Sequence, residues 1–302
     1  IVRTIDNYIE HFRDGQVFVL RSTVYPGTSE RIQNYFKDQG KKIGVAFCPE
    51  RIIEGKAFEE LGNLPQIISD FDAGTLEHIK QLFGQIAKQI VVSVSPVEAE
   101  LSKLFCNTWR YISFAVANQF FMIASEYNLD YHNIYRAMTE NYDRMKDLPR
   151  PGFAAGPCLL KDTMQLAAFG NNNFFLGHSA MLVNEGLPAF LMKKITERYP
   201  DVGKKIVGIL GMAFKPENDD ERDSLSFKMR KVAATKAKEV MCHDPYIKSD
   251  EFFTLEDVLE KSDIIILSTP HNIYMDIDLN KYHGKIFVDV WNKWSKGFIF
   301  EI

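Results

Sequence analysis

Over the first hundred residues, short apolar runs rich in β-branched side chains alternate with stretches whose apolar residues recur every three or four positions. The runs "QVFVLRST" and "KIGVAF" read as strands. Between them "TSERIQNYFKDQG" reads as a helix, with a capping candidate at its start and a glycine at its end. The runs "LPQIISD" and "QIVVSVS" repeat the pattern around "DAGTLEHIKQLFGQIA". Such alternation predicts βαβ units and a parallel sheet. After Pro96 the pattern changes. No Gly or Pro interrupts the chain to about Asn128, and the apolar spacing predicts one helix of about 30 residues, long for a globular protein. Further helical segments follow to about Tyr199. Strand signals then return in "KIVGILG", "AKEVMCHDP", "SDIIILSTP" and "KIFVDVWN", with helical segments between the first three. Each of these strands ends in small or polar residues, where a doubly wound sheet places its ligand. The predicted fold class is α/β: a partial parallel-sheet domain over 1–96, a helical middle over 97–200, and a second parallel-sheet domain over 201–302.

The central helix carries apolar side chains on more than one face, among them Leu101, Leu104, Phe105, Trp109, Ile112, Phe114, Val116, Phe120 and Met122. A helix apolar all round is buried all round. Flanking domains cover part of it, and the rest is expected to pair with the same helix of a second chain across a two-fold axis. The competing expectation is a monomer whose later helices cover the remaining face.

Composition excludes several classes. At 46% hydrophobic and 25% charged the chain is an ordinary globular protein. A net charge of −4 argues against a nucleic-acid or anionic-membrane partner. Cys48, Cys106, Cys158 and Cys242 are scattered and form no CxxC pair, which argues against a zinc site or a disulfide framework and suits a reducing cytoplasm. The longest apolar run, "YISFAVANQFFMIA", contains Asn118 and Gln119 and is too short to span a bilayer. No signal peptide opens the chain. Its first residue is Ile1, within a helical pattern, so a piece of a longer protein is expected.

Candidate chemistry centres on "PGFAAGPCLLKD". A lone cysteine among apolar residues is more often inert core than nucleophile. Here Gly156-Pro157 reads as a turn into a helix, which puts Cys158 in the first helical turn, where free N–H groups favour a thiolate. Lys161 adds positive charge, and Asp162 falls four residues on, on the same face. Three further groupings pair functional side chains: Lys103 with Asn107, Glu50 with Glu54, and the strand-end Ser22 and Thr23 of "STVYPGT". Taken singly, these also read as a solvated helix face, surface carboxylates and a plain strand–turn–helix cap.

Together, "STVYPGT", "CPERIIEG", "AELSKLFCNTW", "PGFAAGPCLLKD" and "GMAFKPENDDERDS", in this order from about Val17 to about Asn292, resemble the UDP-glucose/GDP-mannose dehydrogenase family. The resemblance implies two Rossmann-like domains joined by a long helix, a homodimer formed through that helix, NAD as cofactor and a UDP-linked nucleotide sugar as substrate. It implies a four-electron oxidation of the sugar C6 alcohol to a carboxylate, with Cys158 forming a thiohemiacetal and then a thioester. Lys103 then matches the lysine that stabilises the oxyanion, and Asn107 its partner. Asp162 matches a carboxylate that handles water or a proton, Glu50 the glutamate of thioester hydrolysis, and Thr23 a water-holding threonine. Glu54, Lys161 and Arg222 match cofactor contacts, while Phe214 and Lys215 match residues that hold the nucleotide sugar. No metal is implied. Two departures stand out: Ala155-Gly156-Pro157 where the family usually has Gly-Gly and one residue before the cysteine, and Trp291 where several members carry an arginine.

The family's chains begin with a GxGxxG turn that this chain lacks, so weak NAD binding is expected of the chain as it stands. A catalytically inactive nucleotide-sugar-binding module is the alternative expectation. A two-electron dehydrogenase of the 6-phosphogluconate type needs no thiol, and Cys158 in its motif speaks against that class.

Overall fold

A computed structural model describes residues 1–302 apart from Glu54, Ser93, Val94 and Ala155. The chain divides into two compact units, 1–107 with 165–173, and 108–164 with 174–302.

In the first unit α1 (Val2–Tyr8) precedes β1 (Val17–Leu20), α2 (Thr28–Asp38), β2 (Gly44–Phe47), α3 (Ala57–Glu60), β3 (Gln66–Asp70), α4 (Ala73–Phe83) and β4 (Ile90–Val92). Among the described residues these strands form one sheet in the order β1-β2-β3-β4. Side chains of β2 alternate between two cores, as strand geometry requires. Val45 and Phe47 join Leu20, Ile32 and Phe36 on one face, while Ala46 and Cys48 join Ile68, Ile79 and Phe83 on the other. Burial on both faces explains why the strands read as nearly continuous apolar runs.

The expectation of a parallel sheet needs one correction: β1/β2 and β3/β4 are parallel, but β2/β3 is antiparallel. The connections explain it. The parallel pairs are joined through the 11-residue helices α2 and α4. Among the described residues, the only α-helix between β2 and β3 is the four-residue α3, too short to return the chain to the opposite edge.

The central helix, α5, runs unbroken over Pro96–Glu126, 31 residues, as the spacing predicts. It is not uniformly covered. Leu104, Tyr111, Phe121 and Ala124 are buried, whereas Phe105, Trp109, Val116, Phe120 and Ile123, spaced along another face, are each more than a third exposed.

The second unit contains α6 (Tyr131–Thr139), α8 (Phe175–Arg198), β5 (Ile206–Leu210), α9 (Leu225–Ala234), β6 (Glu239–His243), α10 (Leu255–Lys261), β7 (Ile264–Leu267), β8 (Ile286–Val288) and β9 (Ile299–Glu301); α7 (Leu159–Phe169) lies between α6 and α8 in the chain. Strand order is β6-β5-β7-β8-β9. The four expected strands are all present and parallel. The fifth, β9, pairs antiparallel with β8 and was not read from the sequence. The order reverses between β5 and β7, so the loops after those strands flank the crevice where such sheets bind ligands. Among the described residues, no helix is long and apolar enough to cross a membrane.

Candidate functional site

In the first unit the parallel register aligns Leu20 with Phe47, so the chain leaves β1 and β2 at the same edge. Pairing continues one step further, with the Cys48 amide donating to the Leu20 carbonyl (2.8 Å) and the Glu50 amide to that of Arg21 (3.0 Å). Thr23 and Glu50 therefore sit on adjacent strand ends, as the strand assignment anticipates. Glu50 Oε1 accepts from the Arg51 and Ile52 amides at 2.8 and 2.9 Å, and Oε2 from the Arg21 guanidinium. Partial burial pushes the Glu50 carboxyl up. The Ile52 amide, Arg21 and the Arg51 amide more than offset this, and it lies below its usual range. Glu50 is thus a fixed anion at neutral pH. Glu54 lies outside the described residues.

Lys103 and Asn107 lie one turn apart on α5, with Asn107 buried. One turn earlier on the same stripe, the buried Glu100 caps α2. Its carboxylate accepts from the Gly27 amide (2.6 Å), the Ser29 amide (2.8 Å) and the Ser29 hydroxyl (2.6 Å). The expected cap at Thr28-Ser29 is accordingly supplied from the distant helix, and Gly27, at φ 89°, occupies the cap position. A carboxylate there compensates the free N–H groups and the dipole of α2. Glu100 was missed from the sequence, although its spacing of three and seven residues from Lys103 and Asn107 marks it as sharing their face.

In the second unit Cys158 is exposed, and its carbonyl accepts the Asp162 amide at 2.9 Å. Because α7 starts at Leu159, Cys158 is the residue that caps it rather than a member of its first turn, a correction of one position. The consequence expected of the sequence survives: the thiol stands at a helix N-terminus. Lys161 Nζ lies 3.4 Å from Oδ1 of the fully buried Asp162.

The approach to Cys158 is held at two points. Asn118 on α5 clamps Gly152, donating to its carbonyl (3.0 Å) and accepting its amide (2.8 Å). Asn118 also donates to Asn184 of α8 at 2.9 Å, and Asn184 donates to the Tyr111 carbonyl at 3.0 Å. A side chain at Gly152 would overlap the Trp291 ring. Trp291 itself donates from Nε1 to the Ser268 carbonyl at 3.0 Å, so it forms a packed wall beside this loop.

Phe214, Lys215 and Arg222 all lie on the loop that follows β5. Lys215 Nζ sits 5.3 Å from the Phe214 ring centroid. Arg222 donates to both Asp220 oxygens from Nε (2.9 and 3.0 Å) and to Oδ2 from its terminal nitrogen (2.5 Å). That guanidinium holds Asp220 below its usual range. The loop is anchored by Asp244 at the end of β6, whose Oδ2 accepts the Met212 and Ala213 amides at 2.6 and 2.9 Å. His271 Nδ1 accepts the Glu217 amide at 3.0 Å, so its ring proton is on Nε2, 3.2 Å from Asp244 Oδ2. Glu217 in turn accepts from Tyr246 (2.6 Å) and from the Asn272 amide (2.7 Å). Sequence reasoning missed Asp244 and His271, whose signal was their place just beyond strands β6 and β7.

Thr23, Glu50, Lys103 and Asn107 thus belong to the first unit, and Cys158, Lys161, Asp162, Phe214, Lys215 and Arg222 to the second. Lys161 and Arg222 expose 58% and 69% of their side chains while pairing with Asp162 and Asp220.

The UDP-glucose/GDP-mannose dehydrogenase family matches in three parts: its NAD binding domain over residues 1–87, its central domain over 97–185 and its UDP binding domain over 208–296. The first match does not favour a module without an NAD-binding part. Among curated relatives, UDP-N-acetyl-D-mannosamine dehydrogenase of Pyrococcus horikoshii is 29% identical over 288 residues, 91% of this chain and 68% of the relative. The solved structure of UDP-D-ManNAc dehydrogenase from Pyrococcus horikoshii superposes with TM-score 0.87 at 27% identity, covering 96% of this chain and 72% of that one. A UDP-glucose dehydrogenase from Pyrobaculum islandicum gives TM-score 0.80 at 25% identity, covering 92% and 68%. With its two α/β sheets, its long central helix and all three of the family's domains, the chain belongs to the UDP-glucose/GDP-mannose dehydrogenase family and is an NAD-dependent nucleotide-sugar dehydrogenase.

Proposed function

We propose that the substrate is a UDP-linked hexose or N-acetylhexosamine, and that the enzyme carries its C6 alcohol through four electrons to the uronic acid, a precursor for surface polysaccharide. The names of the relatives favour the N-acetylhexosamine. The observation that carries the reading is Cys158, an exposed thiol at the N-terminus of α7.

A C6 alcohol that loses a hydride and a proton becomes an aldehyde. Attack by the Cys158 sulfur on the aldehyde carbon gives a thiohemiacetal, which becomes a thioester by losing a second hydride from carbon and the proton of its hydroxyl. Water then cleaves the thioester, releasing the acid and restoring the thiol. NAD would supply the hydride acceptor, one molecule for each of the two oxidations; Glu54, Lys161 and Arg222 are the residues that would hold it. Lys103, with Asn107, stabilises negative charge on the substrate oxygen. Asp162 moves the proton or orients the water, and Glu50, anchored by Arg21, serves hydrolysis together with Thr23. Phe214 and Lys215 hold the nucleotide, Lys215 by its charge to a phosphate oxygen.

On this reading 1–96 is the C-terminal part of the NAD-binding domain, 97–200 the central domain and 201–302 the nucleotide-sugar domain, in a cytoplasmic homodimer paired through α5. The exposed row of Phe105, Trp109, Val116, Phe120 and Ile123 supports that pairing, since such a row is costly in water. A charge at Phe120 is expected to give monomers in light scattering; an unchanged dimer would rule out pairing by this row.

The test of the chemistry is Cys158→Ala in the enzyme, assayed with UDP-N-acetylmannosamine and NAD. Acid formation should fall by a factor of 1,000 or more, on the order of a lost covalent nucleophile. Cys158→Ser should stall at an ester-like adduct. Uronic acid made by Cys158→Ala at near the normal rate would overturn the mechanism.

A further inference from the structure

We infer that the loop after β5 sets the position of Cys158 through the contact between the Phe214 ring and Gly156, so that a nucleotide bound on Phe214 and Lys215 changes the reactivity of the thiol. The inference rests on the proposed nucleotide-sugar site. Gly156 has φ +104°, in the left-handed region, and a Cβ built on it would come within 2.5 Å of Phe214 Cδ2 and 2.8 Å of Cε2. The ring therefore lies on the bare Cα, an approach only glycine permits. The Gly156 amide also faces the Asp223 carbonyl of the same loop, at a long 3.4 Å.

Both ends of this connection are stiff. On the loop, the Phe214 amide donates to the Asp220 carbonyl (3.0 Å). The Ala213 carbonyl accepts the Thr269 and Ser224 hydroxyls at 2.6 and 3.1 Å. Asp244 fixes the amides of Met212 and Ala213. On the cysteine side, the Asn118 clamp holds Gly152. Between Gly156 and Cys158 stands Pro157, whose ring fixes φ, so a displacement at Gly156 passes to the thiol instead of being absorbed. Phe214 has one face on the backbone that leads to the nucleophile and, on the proposed reading, another toward the ligand. Gly156 and Phe214 are accordingly positioning residues that link occupancy to the geometry of Cys158.

The readout is the rate of iodoacetamide labelling of Cys158, followed by peptide mass, with UDP as the probe because it has no hexose to cover the thiol. Cys106, exposed on α5, is the reference in the same chain. Saturating UDP should change the Cys158 rate by about five-fold or more, the size of a typical coupling, and leave Cys106 unchanged. Gly156→Ala, which drives a methyl into the ring, and Phe214→Leu, which removes the ring, should each abolish the effect at UDP concentrations that calorimetry shows to be saturating. If Gly156→Ala does not fold, Phe214→Leu decides. UDP binding with no change in wild-type labelling overturns the linkage and leaves the nucleotide-sugar reading standing. Variants that retain the full effect overturn the contact as its carrier. Failure of UDP to bind at all overturns the nucleotide-sugar reading and the linkage with it.

Discussion

Two aspartates end strands of the second sheet and are both buried, yet their surroundings drive them in opposite directions. Asp244 follows β6 and accepts five donors: the Met212, Ala213, Tyr246 and Ile247 amides and His271 Nε2. Burial pushes it up, but His271 and the amides of Tyr246, Met212 and Ala213 outweigh that and bring it to about 2. Asp289 follows β8, where Oδ2 accepts the Trp294 amide at 2.8 Å while Oδ1 has no hydrogen-bond partner among the described residues. Burial takes Asp289 up to about 6, and the amides of Trp294, Lys293, Trp291 and Asn292 offset only part of it. Burial alone therefore does not set the charge: at Asp244 both oxygens are engaged, one of them by the His271 ring as well, whereas at Asp289 Oδ1 has no partner among the described residues. Asp244 is an anionic anchor for the loop bearing Phe214, and Asp289 is an acid that the fold tolerates better neutral.

The largest expected effect comes from removing the anchor. Asp244→Ala leaves four amides and the His271 N–H without their acceptor inside the protein, and should cost about 3–5 kcal/mol, the range for breaking a buried charged network. Urea unfolding followed by tryptophan fluorescence measures it, since Trp109, Trp291 and Trp294 all lie in the second unit. A cost below about 1 kcal/mol would mean that the donors find water instead and that Asp244 anchors nothing.

Asp289→Asn sharpens the contrast. At pH 7 the wild-type carboxyl is ionised in a site that favours its neutral form. The gap between about 6 and the usual 3.8 corresponds to at most about 3 kcal/mol. An amide avoids that cost and can still accept from Trp294, so this variant should be as stable as wild type or more stable at pH 7. Clear destabilisation there would show that the Asp289 carboxylate is stabilising after all.

The sequence carried much of the fold and only part of these polar arrangements. Period and breaks sufficed for α5 and for the strands with helical crossovers, because burial of an entire face writes a repeated signal. The antiparallel turn of β3 was hidden, because strand direction depends on what lies between β2 and β3, and the single-turn α3 leaves little periodic trace. The place of Cys158 at the start of a helix was legible through its own neighbours, Gly156 and Pro157. Glu100 was not, since its partners Gly27 and Ser29 lie more than 70 residues away and a lone carboxylate in a helix usually faces water. Asn118, Asp244 and His271 were passed over for the same reason. Each is one polar residue whose meaning comes from the backbone groups it meets, and those are brought to it only by the fold.

The smallest expected effect is the acid limb contributed by Asp244. Its pKa is about 2 in the folded protein against 3.8 without the fold, so below pH 4 the unfolded chain binds the extra proton. Its contribution is full above about pH 4 and is lost as pH falls toward 2, by about 2 kcal/mol. Asp289 has the reverse sign: its folded pKa of about 6 means the native state binds the proton, and stability declines as pH rises from about 4 to 6. Burial of His132 pulls that ring down to about 4, which adds stability over much of the same window as pH rises. A wild-type curve therefore mixes these groups, and differences between variants isolate them. The stability deficit of Asp244→Asn relative to wild type should be constant above pH 4 and shrink by about 2 kcal/mol toward pH 2, while the advantage of Asp289→Asn should appear only above pH 4 and level off beyond pH 6. A deficit for Asp244→Asn that stays constant down to pH 2 would mean that this aspartate keeps no depressed pKa, and the contrast between the two strand ends would fail.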